Sequence, residues 1–408
     1  MHIGIDYTAA AWQGAGIGRY TRELVRALLR ANGGLRYTLF YAAGGLAPDS
    51  PYLAELRRMC DAAPNARAVP IPLSPRRLTQ LWQRARVPLP IELFSGPIDL
   101  LHVPDFVPPP ARAPTIVTIH DLSFLVHPEC AEPSLARYLG AAVPRGLRQA
   151  AAVLADSEAT RRDLTRLLAV DPARVTVVYP GVGPRFRPLA PEQSEPARRK
   201  LGLPERFILF VSTLEPRKNV ARLIEAFARL GAEGFGLGPG ESGHVPSATS
   251  QAPELQLVLA GRRGWLYDDI FATIARLNLV ERVKVLDFVD DNDLPALYNL
   301  ASVFAYPSIY EGFGLPALEA LACGTPVVTA DNSSLPEVVG DAAVLVDAGD
   351  VASIASGLAR ALADEPLRAR LRAEGPLRAR RFSWTQAAEQ AIDCYRALGA
   401  TGRRTRGA

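Results

Sequence analysis

Two glutamates, Glu311 and Glu319, are separated by seven residues that begin with the run Gly-Phe-Gly-Leu-Pro. Gly312 and Gly314 let the backbone turn sharply and approach a ligand closely. Pro316 suits the first position of a helix, where its missing N–H would have no partner in any case. A glycine-rich loop ahead of a helix points several amide N–H groups at open space, and with the helix dipole they attract an anion such as a diphosphate. Gly312, Phe313, Gly314 and Leu315 would supply that cradle. Carboxylates are poor partners for phosphate but good acceptors for sugar and ribose hydroxyls. A cradle framed by two carboxylates therefore suits a nucleotide sugar; an ordinary strand-helix-strand unit with two surface glutamates is the plain alternative.

A second constellation, Leu214-Glu-Pro-Arg-Lys-Asn219, follows an apolar strand-like run. Arg217 and Lys218 are expected at the carboxyl end of a parallel strand, where such sheets bind ligands. Two adjacent cations suit a diphosphate leaving group, at about 1.5–3 kcal/mol for each charge-assisted hydrogen bond. The alternative is a solvated turn in which Asn219 caps the next helix. His120 and Asp121 end another apolar run. Gly14, Gly16 and Gly18 do not make a dinucleotide fingerprint, because position 19 is Arg and no acidic residue closes a second strand. Asp290-Asp-Asn-Asp293 contains an Asp-x-Asp, but it lies between a strand and a helical pattern, where Asp and Asn favour N-caps. No metal ligand and no cofactor is assigned. Gly261-Arg-Arg-Gly-Trp265 could border a nucleotide, with Arg262 or Arg263 adding positive potential. His2, His102, His127 and His244 receive no role.

These residues need a scaffold that delivers strand ends. Strand-like runs occur at residues 2–6, 37–41, 66–71, 100–103, 115–120, 153–156 and 175–179, and again at 207–211, 255–260, 283–288, 303–306, 327–329 and 343–346. Helical or loop segments separate them, and such alternation predicts α/β architecture with parallel sheets covered by helices on both faces. The first domain is expected over 1–184, a linker over 185–203, the second domain over 204–383 and a terminal helix over 384–400, with a basic tail beyond. Residues 231–254 are rich in Gly, Ser and Pro and read as a disordered surface loop.

Composition narrows the function classes. The 408 residues are 48% hydrophobic with a net charge of +4, too mild for a dedicated nucleic-acid binder. No uninterrupted apolar run approaches the roughly 18 residues of a membrane span. The opening strand leaves no room for a signal peptide, and the four scattered cysteines suit reduced thiols, so a cytoplasmic location is expected. The basic amphipathic stretch Ser74 to Arg86 could lie on an anionic membrane at its inner face, although inward packing of Leu78, Leu81 and Trp82 is the simpler reading.

The Glu311-x7-Glu319 pattern, its Gly-Phe-Gly-Leu-Pro core and the following Cys-Gly-Thr-Pro-Val-Val resemble the signature of retaining glycosyltransferases of family 4. The resemblance covers nearly the whole chain. It implies a GT-B fold: two Rossmann-like doubly wound domains facing across a cleft, the first for the acceptor and the second for the nucleotide sugar, with a last helix crossing back onto the first. It implies that Glu311 and the loop amides contact the transferred sugar and diphosphate, that Glu319 holds the ribose, and that Arg217 and Lys218 neutralise the phosphates without a metal. His120 matches a donor-contacting histidine, and Gly16 lies in a loop approaching the diphosphate. Gly-Ile-Gly-Arg-Tyr20, Leu-Glu-Pro-Arg-Lys-Asn219 and Gly-Arg-Arg-Gly-Trp265 look most like bacterial polysaccharide mannosyltransferases, which favours GDP-mannose as donor and a glycan or lipid-linked acceptor. A UDP-sugar donor or a sugar-nucleotide epimerase on the same architecture is the alternative.

Overall fold

A computed structural model describes residues 1–14, 16–31, 33–232 and 254–406, without the side chains of 401–406. The chain forms two compact units. The first comprises Met1–Val126, Pro133–Gly181 and Phe382–Ala408; the second comprises His127–Glu132 and Val182–Arg381.

The first unit holds seven strands: β1 (His2–Asp6), β2 (Arg36–Ala42), β3 (Ala66–Ile71), β4 (Leu100–Val103), β5 (Thr115–Ile119), β6 (Ala152–Ala155) and β7 (Val175–Val177). All pair in parallel in the order β3-β2-β1-β4-β5-β6-β7. The second holds β8 (Arg206–Val211), β9 (Leu255–Ala260), β10 (Val283–Leu286), β11 (Val303–Tyr306), β12 (Val327–Ala330) and β13 (Val344–Val346), again parallel, in the order β10-β9-β8-β11-β12-β13. Each sheet is a doubly wound α/β sheet. The order reverses at β1/β4 in one and at β8/β11 in the other. Such switch points leave a crevice outside the carboxyl ends of the strands, where ligands bind.

The sequence carries these strands because helices cover both faces, so the strands read as continuous apolar runs. β4, β5, β11 and β12 are buried at every position. The expected strands at 115–120, 175–179 and 283–288 end earlier than their apolar content suggests. Phe288 has left the ladder and is 54% exposed, with the Arg262 guanidinium over its ring. Pro180, three residues beyond the end of β7, has no N–H to donate to a ladder.

The chain changes unit at Gly181–Val182 and at Arg381–Phe382, against expected domain ends at 184 and 383. Residues 185–203, expected as a linker, lie within the second unit. There the helix Pro191–Leu201 is joined to its surroundings by Leu189 N–H to Asn299 Oδ1 at 2.8 Å and by Lys200 to Asp293. The final helix, Trp384–Arg406, belongs to the first unit, with Ala387, Ala388, Ala391, Ile392 and Tyr395 buried against Leu24 and Leu28 of the helix Ile17–Arg30. It continues beyond the expected end at 400 through most of the basic tail. Of the expected surface loop 231–254, residues 233–253 lie outside the described residues.

The stretch from Ser74 turns its apolar side inward. Leu78 and Trp82 are buried with Phe40, Ile71 and Ile91, and the Trp82 Nε1–H donates to Leu89 O at 3.0 Å. Among the described residues no helix is long and apolar enough to cross a membrane.

Candidate active site

The second unit brings Arg217, Lys218 and Glu311 together at its switch point. Arg217 and Lys218 follow β8, in a single tight turn over Pro216–Lys218. Glu311 follows β11, the neighbouring strand across the reversal. A backbone bond from Ile309 N–H to Arg217 O, 2.9 Å, joins the two loops directly. Lys218 Nζ lies 2.6 Å from Glu311 Oε1 and 3.0 Å from the hydroxyl of Tyr306, the last residue of β11. Arg217 Nη1 lies 3.2 Å from Glu311 Oε2 and 2.9 Å from Tyr310 O, while Nη2 reaches Glu215 Oε1 at 2.8 Å.

Two cations and two carboxylates are therefore packed together with little water. Lys218 and Glu311 each have side chains 8% exposed. Burial alone would raise the Glu311 pKa, but Lys218 and Arg217 overcome it and hold the carboxyl at about 2 instead of 4.5. Burial and Arg217 oppose the Lys218 charge, but Glu311, Tyr306 and Glu215 together outweigh them, and the Lys218 pKa lies above the ordinary value. Burial, then Glu311, pushes Tyr306 up to about 12, so its hydroxyl keeps its proton. The cations are thus charged and fixed in direction before any anion arrives, the preorganised arrangement that electrostatic stabilisation of a leaving group requires.

The loop from Glu311 to Gly314 is buried and held at both ends. Glu311 N–H donates to Ser333 Oγ at 2.9 Å, and Ser334 Oγ donates to Glu311 O at 2.9 Å. Gly314 is the N-cap of the helix Leu315–Ala322, with φ of 101°. A Cβ there would stand 2.8 Å from Leu335 Cδ2, so both backbone conformation and space call for glycine. Pro316 sits in the first turn, as its missing donor suggests. The helix ends at the C-cap Cys323, and Gly324 follows it with φ of 73°.

Glu319 lies in the same helix but is 3% exposed, and its Oε2 accepts from the Tyr298 hydroxyl at 3.0 Å. It does accept a hydroxyl, one that the protein itself supplies. Asn219 does more than cap a helix. With φ of 61° it is buried, and its Nδ2 donates to Pro307 O at 2.9 Å and to Ala348 O at 2.8 Å. One amide thereby ties the loops after β8, β11 and β13. Asp291 pairs with Arg185 at 3.3 Å and Asp293 with Lys200 at 2.6 Å; Asp293 takes the N-cap position without a capping side-chain bond. Trp265 Nε1–H donates to Cys130 O at 2.8 Å, which fastens the 127–132 segment to the second unit.

His120 and Gly16 belong to the first unit. Both nitrogens of His120 face acceptors: Nδ1 is 2.6 Å from Asp156 Oδ2 and Nε2 is 2.9 Å from Pro104 O. Burial lowers its pKa, but Asp156 outweighs burial and lifts it from 6.5 to about 9. An imidazolium, which donates from both nitrogens, fits these partners. The ring is flanked edge-on by Tyr20 and Phe106. Gly16 is the N-cap of the helix Ile17–Arg30 at φ of 57°. The glycine loop is held by a residue that sequence reasoning passed over. Arg22 is buried and donates to Ala10 O, Gln13 O and Gly14 O at 2.8, 2.6 and 2.6 Å, satisfying carbonyls at the end of the preceding short helix. Glu215, Tyr306, Ser333 and Asp156 were also missed. Only Glu215, two residues before Arg217, carried a local signal.

Comparison with known proteins gives the family. A family model described as Glycosyl transferases group 1 matches residues 193–378, and one described as Glycosyltransferase Family 4 matches residues 14–186. The chain is 31% identical over 388 residues to the O-antigen chain mannosyltransferase B of Escherichia coli, covering 94% of this chain and 96% of that protein. It is 31% identical over 294 residues to the serotype-specific mannosyltransferase WbdA of the same organism, covering 70% of this chain but only 33% of that larger protein. Among solved structures, HepE of Anabaena in complex with UDP and glucose superposes with a TM-score of 0.72 at 20% identity, covering 97% of this chain and 98% of that one. With two Rossmann-like sheets, a GT-B likeness over nearly its full length and both family models matched in order, this chain belongs to the group 1 glycosyltransferases of family 4.

Proposed function

We propose that this glycosyltransferase moves a mannosyl group from GDP-mannose to a glycan or lipid-linked acceptor in cell-surface polysaccharide assembly, with retention at the anomeric carbon and without a metal. The observation that carries the reading is the buried Arg217–Lys218–Glu311 cluster at the β8/β11 switch point, in a chain 31% identical along 94% of its length to an O-antigen chain mannosyltransferase. In the proposed step the bond between the anomeric carbon and the diphosphate oxygen breaks as the acceptor oxygen bonds that carbon from the same face. The acceptor proton passes to the departing diphosphate. Arg217 and Lys218 stabilise charge growing on the leaving group, where such stabilisation lowers a barrier most. The amides of Gly312 to Leu315 assist, Glu311 accepts from hydroxyls of the transferred sugar, and Glu319 from the ribose. Gly16 and His120 approach the donor from the first domain. The domain roles, acceptor in the first and nucleotide sugar in the second, belong to the same proposal. So does a cytoplasmic site of action, peripheral at the membrane's inner face, suited to a lipid-linked acceptor.

A UDP-sugar donor is the second reading, favoured by the likeness to HepE, whose structure holds UDP and glucose. Titration calorimetry with GDP, GDP-mannose, UDP and UDP-glucose separates the two. GDP and GDP-mannose are expected to bind at least tenfold more tightly than their uridine counterparts. The reverse order would assign a UDP-sugar. Proton NMR of the initial product reports the anomeric configuration, and an inverted product would remove the retaining mechanism.

A further inference from the structure

At the opposite, amino-terminal edge of the first unit's sheet lies a cavity of about 520 Å³, lined among others by His2, Arg36, Arg67, Ile98 and Asp99. Ligands of parallel α/β sheets ordinarily occupy the carboxyl edge, so this cavity is separate from the donor chemistry. Strand register builds it. His2 of β1 pairs with Arg36 of β2, and Thr38, two residues on and on the same face, pairs with Arg67 of β3. Three basic side chains are thereby placed on one face of three adjacent strands.

Their partners are unequal. Arg67 is aimed by two bonds, Nε to Thr38 Oγ1 at 3.0 Å and Nη2 to Ser95 O at 2.8 Å, which leave Nη1 without a partner among the described residues. His2 Nε2 lies 2.8 Å from the same Thr38 hydroxyl. The Arg36 guanidinium has no hydrogen-bonding or ionic partner among the described residues. Asp99 is the carboxylate in the lining, and its Oδ2 is already engaged by the His2 backbone N–H at 2.7 Å. Burial, then Arg36 and Arg67, lowers the His2 pKa, as expected of an imidazole facing surplus positive charge. Like charges on paired strands repel, and an anion placed between them relieves the repulsion. Guanidinium groups match phosphate oxygens in pairs. The volume falls within the roughly 300–1,000 Å³ of small-molecule sites.

We infer that this cavity binds a phosphate-bearing small molecule, held by Arg36 and Arg67 with His2 beside it, at a second site distinct from that of the nucleotide sugar.

The test follows the His2 ring in full-length protein labelled at histidine, titrated by NMR in inorganic phosphate and in chloride at equal ionic strength. His2 reports this cavity alone, so binding of phosphate at the donor site does not confuse the result. The His2 pKa is expected to rise by about one unit in phosphate, since a nearby opposite charge favours the imidazolium. Arg36→Gln, a change at a side chain without partners, should abolish most of that increment and weaken pyrophosphate binding at this site at least tenfold. Arg67→Gln should do the same. His102 and His120 resonances confirm that each variant is folded. A His2 titration identical in the two salts overturns the inference, as does a phosphate shift that survives both substitutions. Arginine-dependent sedimentation with anionic phospholipid vesicles, without a phosphate shift at His2, would assign the face to a lipid surface and equally overturn it.

Discussion

Glu311 offers the sharpest test of the buried cluster, because its carboxylate faces two cations at once. Glu311→Gln keeps the shape but removes the charge, and it turns an amide NH2 toward either Lys218 Nζ or Arg217 Nη1. Breaking a buried ion pair costs about 3–5 kcal/mol. Arg217 keeps Glu215 at 2.8 Å, so Lys218 is the cation stranded, with only the Tyr306 hydroxyl at 3.0 Å. The lower figure, about 3 kcal/mol, therefore applies. The depression of the Glu311 pKa from 4.5 to about 2 gives the same magnitude at about 1.4 kcal/mol per unit. For a unit of this size, about 2–4 °C per kcal/mol predicts a melting temperature lower by about 6–12 °C at pH 7. A depressed folded pKa adds stability that is present above the unfolded value and lost as pH falls through the folded one. The difference between wild type and variant should accordingly shrink from about pH 4.5 towards 2. The two cations are then released to a diphosphate. Removing one like charge near the phosphates is worth about 1–2 kcal/mol, so GDP should bind the variant at least as tightly as wild type, and up to about thirtyfold more tightly. Sugar transfer should fall ten- to a hundredfold, as expected for about 1.5–3 kcal/mol of lost hydrogen bonding to the donor sugar. Scanning calorimetry across pH, GDP titration and a transfer assay complete the experiment. An unchanged melting temperature at pH 7 would refute the cluster. Tenfold weaker GDP binding in a folded variant would show that Glu311 serves the nucleotide and not the sugar.

Three further outcomes are expected. His120 should titrate near pH 9 by NMR, and Asp156→Asn should lower it by removing the largest cause that raises it; because the folded pKa is raised, the associated stability is full below about pH 6.5 and fades as pH climbs through 9. Tyr298→Phe removes the hydroxyl that donates to buried Glu319, which should cost about 1–3 kcal/mol in thermal unfolding and weaken GDP binding if that carboxylate also serves the ribose; GDP affinity that is unaltered in both Tyr298→Phe and Glu319→Gln would take Glu319 out of the nucleotide site. Transfer should survive saturating EDTA if, as proposed, Arg217, Lys218 and the loop amides neutralise the leaving group, while Asp291 and Asp293 are engaged by Arg185 and Lys200; loss restored by magnesium or manganese would point back to Asp291 and Asp293.

What the sequence determined by itself is local and periodic. Buried parallel strands read as apolar runs, so β3, β4, β9 and β11 were legible to the residue. Gly314 and Pro316 announced a loop and a helix start because each constrains its own backbone. The spacing of Glu311 and Glu319 and the adjacency of Arg217 and Lys218 were enough to name the family. Tertiary structure alone decided what these side chains face. Lys218 and Glu311 are 93 residues apart and meet because β8 and β11 are neighbours across a reversal in strand order, which no local pattern encodes. The same holds for His120 with Asp156, and for Arg67 with Thr38 and His2, brought together by neighbouring parallel strands. It holds for Tyr395 as well, whose hydroxyl lies 2.7 Å from His102 Nδ1 across 293 residues. A charged residue in sequence reads as an open contact for a ligand. Burial forces it to find a partner of opposite charge first, and strand order decides which partner that is.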